Sequence, residues 1–373
     1  MRLLLVFSLA LTAGLVAGCN KEQAAATDPT MELPDFLAED GEASEFDAEE
    51  SEAPKSRAGK RVVHSEAAEE ESQPAVRPRD PKEAHGELKL KLEPGEMFPM
   101  RKRIITGLVS TATDGTETRI QTELRLLLAI TVEEVAGGRT RLGVKYNRVE
   151  LDQDMDGQRL EYRSTNPPDP VPLAALAYHN MVNDGFSFWI GKDNQINEPV
   201  GFYEFMERCM ANIPLAQQKQ VMMNMEAGTD ENGIADFVDN AIGLLPFNVE
   251  VSPGYTWSRH RSVQRPVPMV IQNQYTLQEL TDSEAIVKIT GEILPSQTAN
   301  KVINGSDSIQ VFVTGGRTYG DCIIFRDTGL PKESNTERTI DMVVDLGNGL
   351  EFKQTKTVST RVEAFPSARP AAQ

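Results

Sequence analysis

Between Glu117 and Ser164 the chain reads ETRIQTELRLLLAITVEEVAGGRTRLGVKYNRVELDQDMDGQRLEYRS. Two turn dipeptides, Gly137-Gly138 and Asp156-Gly157, cut this stretch into three runs. Such pairs supply the positive φ that short hairpin loops require. The runs between them predict antiparallel strands over Glu117–Val135, Arg139–Asp154 and Gln158–Ser164. Upstream, Glu87-Leu88-Lys89-Leu90-Lys91-Leu92 is apolar at every second position, the period of a half-buried strand. Pro94-Gly95 turns the chain into a long strand over Met97–Val109, which ends at Thr113-Asp114-Gly115-Thr116. This is a meander of long strands.

The middle of the chain reads differently. After the break Asn166-Pro167-Pro168-Asp169-Pro170, Leu173–Val182 predicts a helix. A short hairpin follows, Phe186–Ile190 and Asn194–Glu198 across Lys192-Asp193. Val200–Ala211 then places Phe202, Phe205, Met206 and Cys209 on one helical face, and Leu215–Met225 and Ile234–Leu244 predict two more helices. Strands return over Tyr255–Val263, Val270–Leu280, Ala285–Ile293, Ser308–Thr318, Tyr319–Arg326, Glu337–Leu346 and Leu350–Val362. Strands, helices, strands is an α+β order. The expectation is one large curved antiparallel sheet, half-barrel-like, with a central helical segment packed on its concave face. It forms a single domain over residues 86–366, with the helical insertion around 172–244 and a tail at 367–373.

The N-terminus carries a different signal. Arg2 precedes an apolar run from Leu3 to Ala17, too short to span a hydrocarbon core of about 30 Å comfortably. It has the form of a secretory signal. Val16-Ala17-Gly18-Cys19 resembles the lipobox of bacterial lipoproteins. That resemblance implies cleavage after residue 18 and lipidation of Cys19, with the palmitate-type chains holding the protein at a membrane. Each buried CH₂ adds about 0.8 kcal/mol, so two or three chains anchor stably. In that family Asp after the lipidated Cys tends to retain the protein at the inner membrane. Asn20 therefore leans toward the outer membrane, on the periplasmic face of the cell envelope.

Residues 19–85 read as an acidic, disordered tether. About ten of the eighteen net negative charges fall between Lys21 and Glu83. Runs such as Glu39–Glu50 and Glu69-Glu70-Glu71 have too little apolar surface to offset the entropy of ordering. As a flexible coil, about sixty-five residues reach roughly 45 Å. Met31–Leu37 is an acidic-hydrophobic island that reads either as residual linker hydrophobes or as a docking peptide for an envelope protein partner. The net charge of −18 argues against nucleic acid and against adsorption to anionic headgroups.

The main domain resembles a family of bacterial lipoproteins with no assigned function. The cues are Leu90–Phe98, the Asp156-Gly157 hairpin ending in Tyr162-Arg163-Ser164, the segment Trp189–Asn194, and Leu245-Pro246 followed by Val251–Trp257. The resemblance brings no catalytic residues. The expected shape is also similar to the lipoprotein-carrier class, an open half-barrel with helices at its mouth, and fold alone does not settle function.

Candidate sites are few. Asp152, Asp154, Asp156 and Gly157 match the first half of a calcium loop, but the twelfth position is Arg163 where a bidentate Glu belongs. The competing reading is an acidic hairpin whose Asp156-Gly157 forms the turn. Cys209 and Cys322 are the cysteines left after Cys19, and an oxidising compartment makes either a disulfide or two separate buried thiols an expectation. His179 and His260 are the histidines of the domain, and neither sits in a metal spacing or beside a nucleophile elbow. Met206, Met210, Met222, Met223 and Met225 suit either core filling or an adaptable apolar surface. Trp189 and Trp257 read as core or rim aromatics. The expectation is a non-enzymatic envelope lipoprotein without cofactor or metal, binding an apolar ligand such as a lipid. The alternatives are a structural or protein-interaction module and, more weakly, a hydrolase using carboxylates.

Overall fold

The computed structural model describes residues 85–224, 243–263, 267–295, 300–304, 307–346 and 351–365. The chain separates into two units, residues 16–79 and the remainder, and every described residue belongs to the second. The signal, Cys19, the tether and the predicted helix over Ile234–Leu244, save its last two residues, lie outside the described residues.

Fifteen strands and three short helices make up the described part. The strands are β1 (Gly86–Glu87), β2 (Met97–Thr111), β3 (Glu117–Ala136), β4 (Arg139–Met155), β5 (Gln158–Arg163), β6 (Gly185–Ile190), β7 (Ile196–Val200) and β8 (Glu250–Val251). They continue with β9 (Thr256–Val263), β10 (Met269–Leu280), β11 (Glu284–Pro295), β12 (Asn300–Asn304), β13 (Asp307–Phe325), β14 (Pro331–Asp345) and β15 (Glu351–Ala364). The helices are α1 (Leu173–Asn180), α2 (Phe202–Cys209) and α3 (Leu215–Asn224).

One open antiparallel sheet runs in the order β7-β6-β4-β3-β2-β15-β14-β13-β11-β10-β9, with β5 beside β4 and β12 beside β13. The sheet therefore dominates. The large antiparallel sheet is as expected, and the α+β expectation holds in part: the fold is β-rich, because the described helices are few and short. α1 packs on β4, and α2 on α1 and β6. A two-strand pairing of β1 with β8 stands apart.

The turns act as their residues dictate. Gly137 and Gly138 have φ of 59° and 79°, and Asp156 and Gly157 have 48° and 89°, so both pairs turn with positive φ. The alternating run at 87–92 buries Leu88 and Leu92, yet only Gly86 and Glu87 pair. Its period reflects packing against a core, not a ladder. Ser308–Thr318 and Tyr319–Arg326 are one strand, β13, since Gly315 and Gly316 are accommodated beside a bulge between Val313 and Gly315. β2 and β15 pair over twelve residues, Met100↔Ala364 to Thr111↔Lys353, which joins the early strands to the late ones.

Side chains alternate between two faces of this sheet. The inner face carries Leu126, Lys102, Val362, Ser334, Cys322, Val287 and Leu277 in one cross-strand row, all of them buried. The outer face carries ion pairs. Arg125 bonds Glu123 at 2.6 Å and Asp152 at 3.1 Å, Arg163 bonds Asp152 at 2.7 Å, and Arg103 bonds Glu123 at 2.6 Å. Hydrogen bonding from Arg103 holds the Glu123 carboxyl below the usual carboxylate range. That face stays wet and needs no cover.

Candidate functional site

The inner face is the candidate site, and it is covered unevenly. At the β4–β6 end, helix α2 buries Phe202, Phe205, Met206 and Cys209, the face that its periodicity predicts. Gly201 at φ 70° starts the helix. Phe205 stacks on Tyr146 at 5.8 Å and packs on Phe186 at 5.3 Å, while Phe186 meets Phe202 at 4.9 Å. Asn180 of α1 donates to the carbonyls of Cys209 and Ala211, at 3.0 and 2.9 Å, which ties the helices together. Burial pushes the Tyr146 phenol well above its ordinary range. This end is a filled core.

Toward the far edge, two further clusters form. One joins Tyr275, Leu277, Val287, Ile289, Cys322 and Ile324 with Leu88, Leu244, Leu245 and Val251, so coil segments lie over the strands. Trp257 belongs to its rim. Its ring stacks between Tyr255 and Tyr275, at 6.0 and 5.6 Å, and its Nε1 donates to the Leu244 carbonyl at 2.7 Å. The other cluster joins Val263, Met269, Ile271, Ile293, Val313, Ile340 and Met342, with Leu108, Val267 and Val311 against it. Strand residues make up almost all of it, and among the described residues no helix contributes to it.

Among the described residues, the charged side chains in the apolar rows of the inner face are cations. Lys102, Arg259, Arg261, Arg338 and Lys356 share the face of the apolar rows, and no carboxylate stands in those rows among the described residues. Lys102 is 1% exposed. Arg259 donates from Nη2 to the carbonyls of Asp193 and Leu245, at 2.9 and 2.7 Å, so it pins β9 to two loops. A hollow of about 500 Å³ lies on the opposite, polar face, where Arg103, Tyr319, Asp321, Asn335, Glu337 and Arg361 line it. It is not the apolar hollow expected between sheet and helices.

The residues singled out in the sequence fall in several places. Asp152 bonds Arg125 and Arg163, Asp154 accepts from the Gly157 amide at 2.8 Å, and Asp156 accepts from the Arg119 amide at 3.0 Å. The half calcium loop is thus a hairpin turn flanked by arginines, and among the described residues no three His, Cys, Asp or Glu form a metal-holding group. Of the two expectations for Cys209 and Cys322, the structure shows two separate buried thiols with no disulfide between them. Cys209 sits under α2, whereas Cys322 belongs to the cluster around Leu277. Burial pushes the Cys209 thiol up to about 12.

His179 Nδ1 lies 2.8 Å from the hydroxyl of Tyr162, whose ring is buried. His260 points to the outer face of edge strand β9, where it is exposed. Met206 and Met210 are core side chains, and those of Met222, Met223 and Met225 are not among the described residues. Arg139 stacks on Trp189 at 4.6 Å. The cations of the inner face were missed, although period two contains them. Arg259 and Arg261 alternate in phase between Trp257 and Val263, and Lys102 does so between Met100 and Ile104.

The chain belongs to the family of unknown function DUF6263, whose model matches residues 137–331. No curated protein matches the chain. Among solved structures it is similar to lipovitellin, described by its lipid–protein interactions, with TM-score 0.43 and 13% identity over 76% of this chain and 26% of that one. The chain thus spans about a quarter of the lipovitellin chain. The β domain of the Bordetella autotransporter BrkA matches at TM-score 0.20 and 8% identity, over 71% of this chain and 98% of that one. An outer membrane channel from Pseudomonas putida matches at 0.18 and 8%, over 74% and 97%. At these scores no argument about ligand rests on the likeness.

Proposed function

We propose that this protein is a non-enzymatic lipoprotein of the cell envelope, moored through Cys19, whose sheet takes up an apolar or amphipathic ligand such as a lipid on its inner face. One observation carries the ligand part. The inner face is apolar along most of its length, and among the described residues the strongest helix contacts, those of α1 and α2, fall on β4 and β6. Its far cluster is buried among strand side chains with no described helix in it, and a ligand tail inserted among those side chains is the occupant proposed here. The anchor rests on the lipobox at Val16–Cys19. It places the domain on the non-cytoplasmic side, with Asn20 favouring the outer membrane. The non-enzymatic reading draws on what the acids and bases do: Glu123, Glu150 and Asp152 are engaged by arginines, and Tyr162 engages His179.

The test is direct. Protein purified without detergent is extracted with organic solvent and the extract is analysed by mass spectrometry. A lipid recovered in near-equal amount with the protein is expected. An extract free of lipid, from protein that also binds none when it is added back, overturns the ligand reading. For the anchor, radiolabelled palmitate should enter the native chain and not the Cys19→Ser variant. Equal labelling of both removes it.

A further inference from the structure

One cross-strand row of the inner face differs from its neighbours. From β9 to β15 it runs Arg259, Asn273, Gly291, Thr318, Arg338, Val358. The rows on either side are half apolar: Trp257, Tyr275 and Ile289 stand with Gly320, Thr336 and Thr360 in one, and Ile271, Ile293 and Ile340 with Arg261, Gly316 and Lys356 in the other. Arg259 and Arg338 start four strands apart, about 20 Å at the usual spacing.

Polar atoms in this row are buried and lack a protein partner. Thr318 is 2% exposed, and its Oγ1 has no hydrogen bond. The same holds for Asn273 Oδ1 and Arg259 Nε. Folded proteins rarely leave buried polar atoms without partners, so such a group marks a place where a partner belongs. The backbone between them carries no side chain of its own. Gly291 separates Asn273 from Thr318, and Gly316 and Gly320 flank Thr318 on the same face of β13. A Cβ on Gly291 would come within 2.3 Å of Asn273 Oδ1, crowding the atom that lacks a partner.

The positive charge also gathers here. Burial raises the Tyr275 phenol, against the hydrogen bond from Asn273 and the charges of Arg261, Arg259 and Arg338. On the register Arg259 and Arg261 of β9 and Arg338 of β14 share the inner face. Arg261 and Arg338 engage other groups as well, so what distinguishes the place is the sign of its charge and its three orphaned atoms.

We propose that this row seats the oxyanion headgroup of an amphiphile, with Thr318 Oγ1 donating to the anion beside the Arg338 guanidinium across from it, and Arg259 Nε and Asn273 Oδ1 meeting the further oxygens and hydroxyl of the head. The inference rests on the proposal that the inner face binds an amphipathic ligand. It adds the class: an anionic, hydroxyl-bearing or carboxylate head on an apolar tail. Two sources share this chemistry, a fatty acid and the phosphate of a lysophospholipid.

The experiment measures equilibrium binding of radiolabelled lipids to the full chain, below their micelle concentrations. Palmitate is compared with hexadecanol, and palmitoyl-lysophosphatidate with monopalmitoylglycerol. At least one anionic member is expected to bind about tenfold or more tightly than its neutral partner, as a few charge-assisted hydrogen bonds would give. The arm that shows the preference identifies the source. Thr318→Val and Arg338→Gln should bring that preference below about threefold and leave the neutral lipid within about twofold of its native affinity. Arg338→Lys, which keeps the charge and loses the fork, should fall between. Near-UV circular dichroism confirms that each variant is folded. Anionic and neutral lipids binding alike, or a preference that survives both variants, overturns the headgroup site and leaves lipid binding standing. Binding of none of the four overturns the underlying reading and the site with it.

Discussion

The two ends of the sheet solve the same problem in opposite ways. At the β4–β6 end, rings fill the space: Tyr146, Phe186, Phe202 and Phe205 interlock, and α2 closes over them. Toward β9 to β14 the inner face instead holds glycines, arginines and hydroxyls among aliphatic side chains. A filled core gains from every methylene. A polar row within an apolar face costs stability, and it persists in a fold when something other than stability is gained. The first end reads as the part that makes the domain fold, the second as the part that makes it useful.

The comparison predicts a graded set of stability changes in urea unfolding. Phe205→Ala should cost the most, about 3–5 kcal/mol, because a wholly buried ring leaves a cavity among other rings. A loss below that of any change in the far half would break the contrast. Gly291→Ala should cost about 1–3 kcal/mol, since its Cβ would meet Asn273 Oδ1 at 2.3 Å and the Gln272 carbonyl at 2.7 Å. Tyr162→Phe should cost about 1 kcal/mol for the lost hydrogen bond to His179.

Acid adds a smaller effect at the ring-filled end. Hydrogen bonding from Arg208 holds the Asp184 carboxyl below its ordinary 3.8, and the pair ties α2 to the start of β6 at 2.6 Å. Because the folded pKa is depressed, the contribution is complete above 3.8 and is lost as pH falls through the folded value. The pair is half exposed on its arginine side, so about 0.5 kcal/mol is expected. Stability measured against pH should fall less steeply below pH 4 in Asp184→Asn than in the native chain. Thr318→Val should have the smallest effect and the opposite sign. Removing a buried hydroxyl without a partner should be neutral or stabilising by up to about 1 kcal/mol. A clear loss instead would show that Thr318 serves the fold.

The sheet was legible because turn residues and alternation act locally. Gly137-Gly138 and Asp156-Gly157 mark their hairpins in any context, and long strands leave long patterns. α2 was legible because Phe202, Phe205, Met206 and Cys209 repeat at helical spacing. Leu88 to Leu92 misled because alternation records which side chains are buried, and here coil buries them. The division between Thr318 and Tyr319 was an error of length, since one strand with a bulge at Val313/Gly315 runs through both segments. Which end of the sheet α1 and α2 would cover was not legible, since that is decided by pairs such as Asn180 with Cys209 that no local pattern reports. The inner-face cations were present in the alternation of β9, β2 and β14. They were passed over because charge is ordinarily read as a sign of exposure, and only the register showed that Arg338 stands across from Thr318.

The long pairing of β2 with β15 has a kinetic consequence. The first long strand of the domain waits for the last one, across some 240 intervening residues. Contacts so distant in sequence slow folding, because the entropy of closing the loop is lost before the pairing forms. Until Glu351 to Ala364 arrive, β2 and β14 each present an unzipped flank, a template on which another copy can aggregate. A chain stalled before its final strand is therefore the species that a chaperone would need to hold.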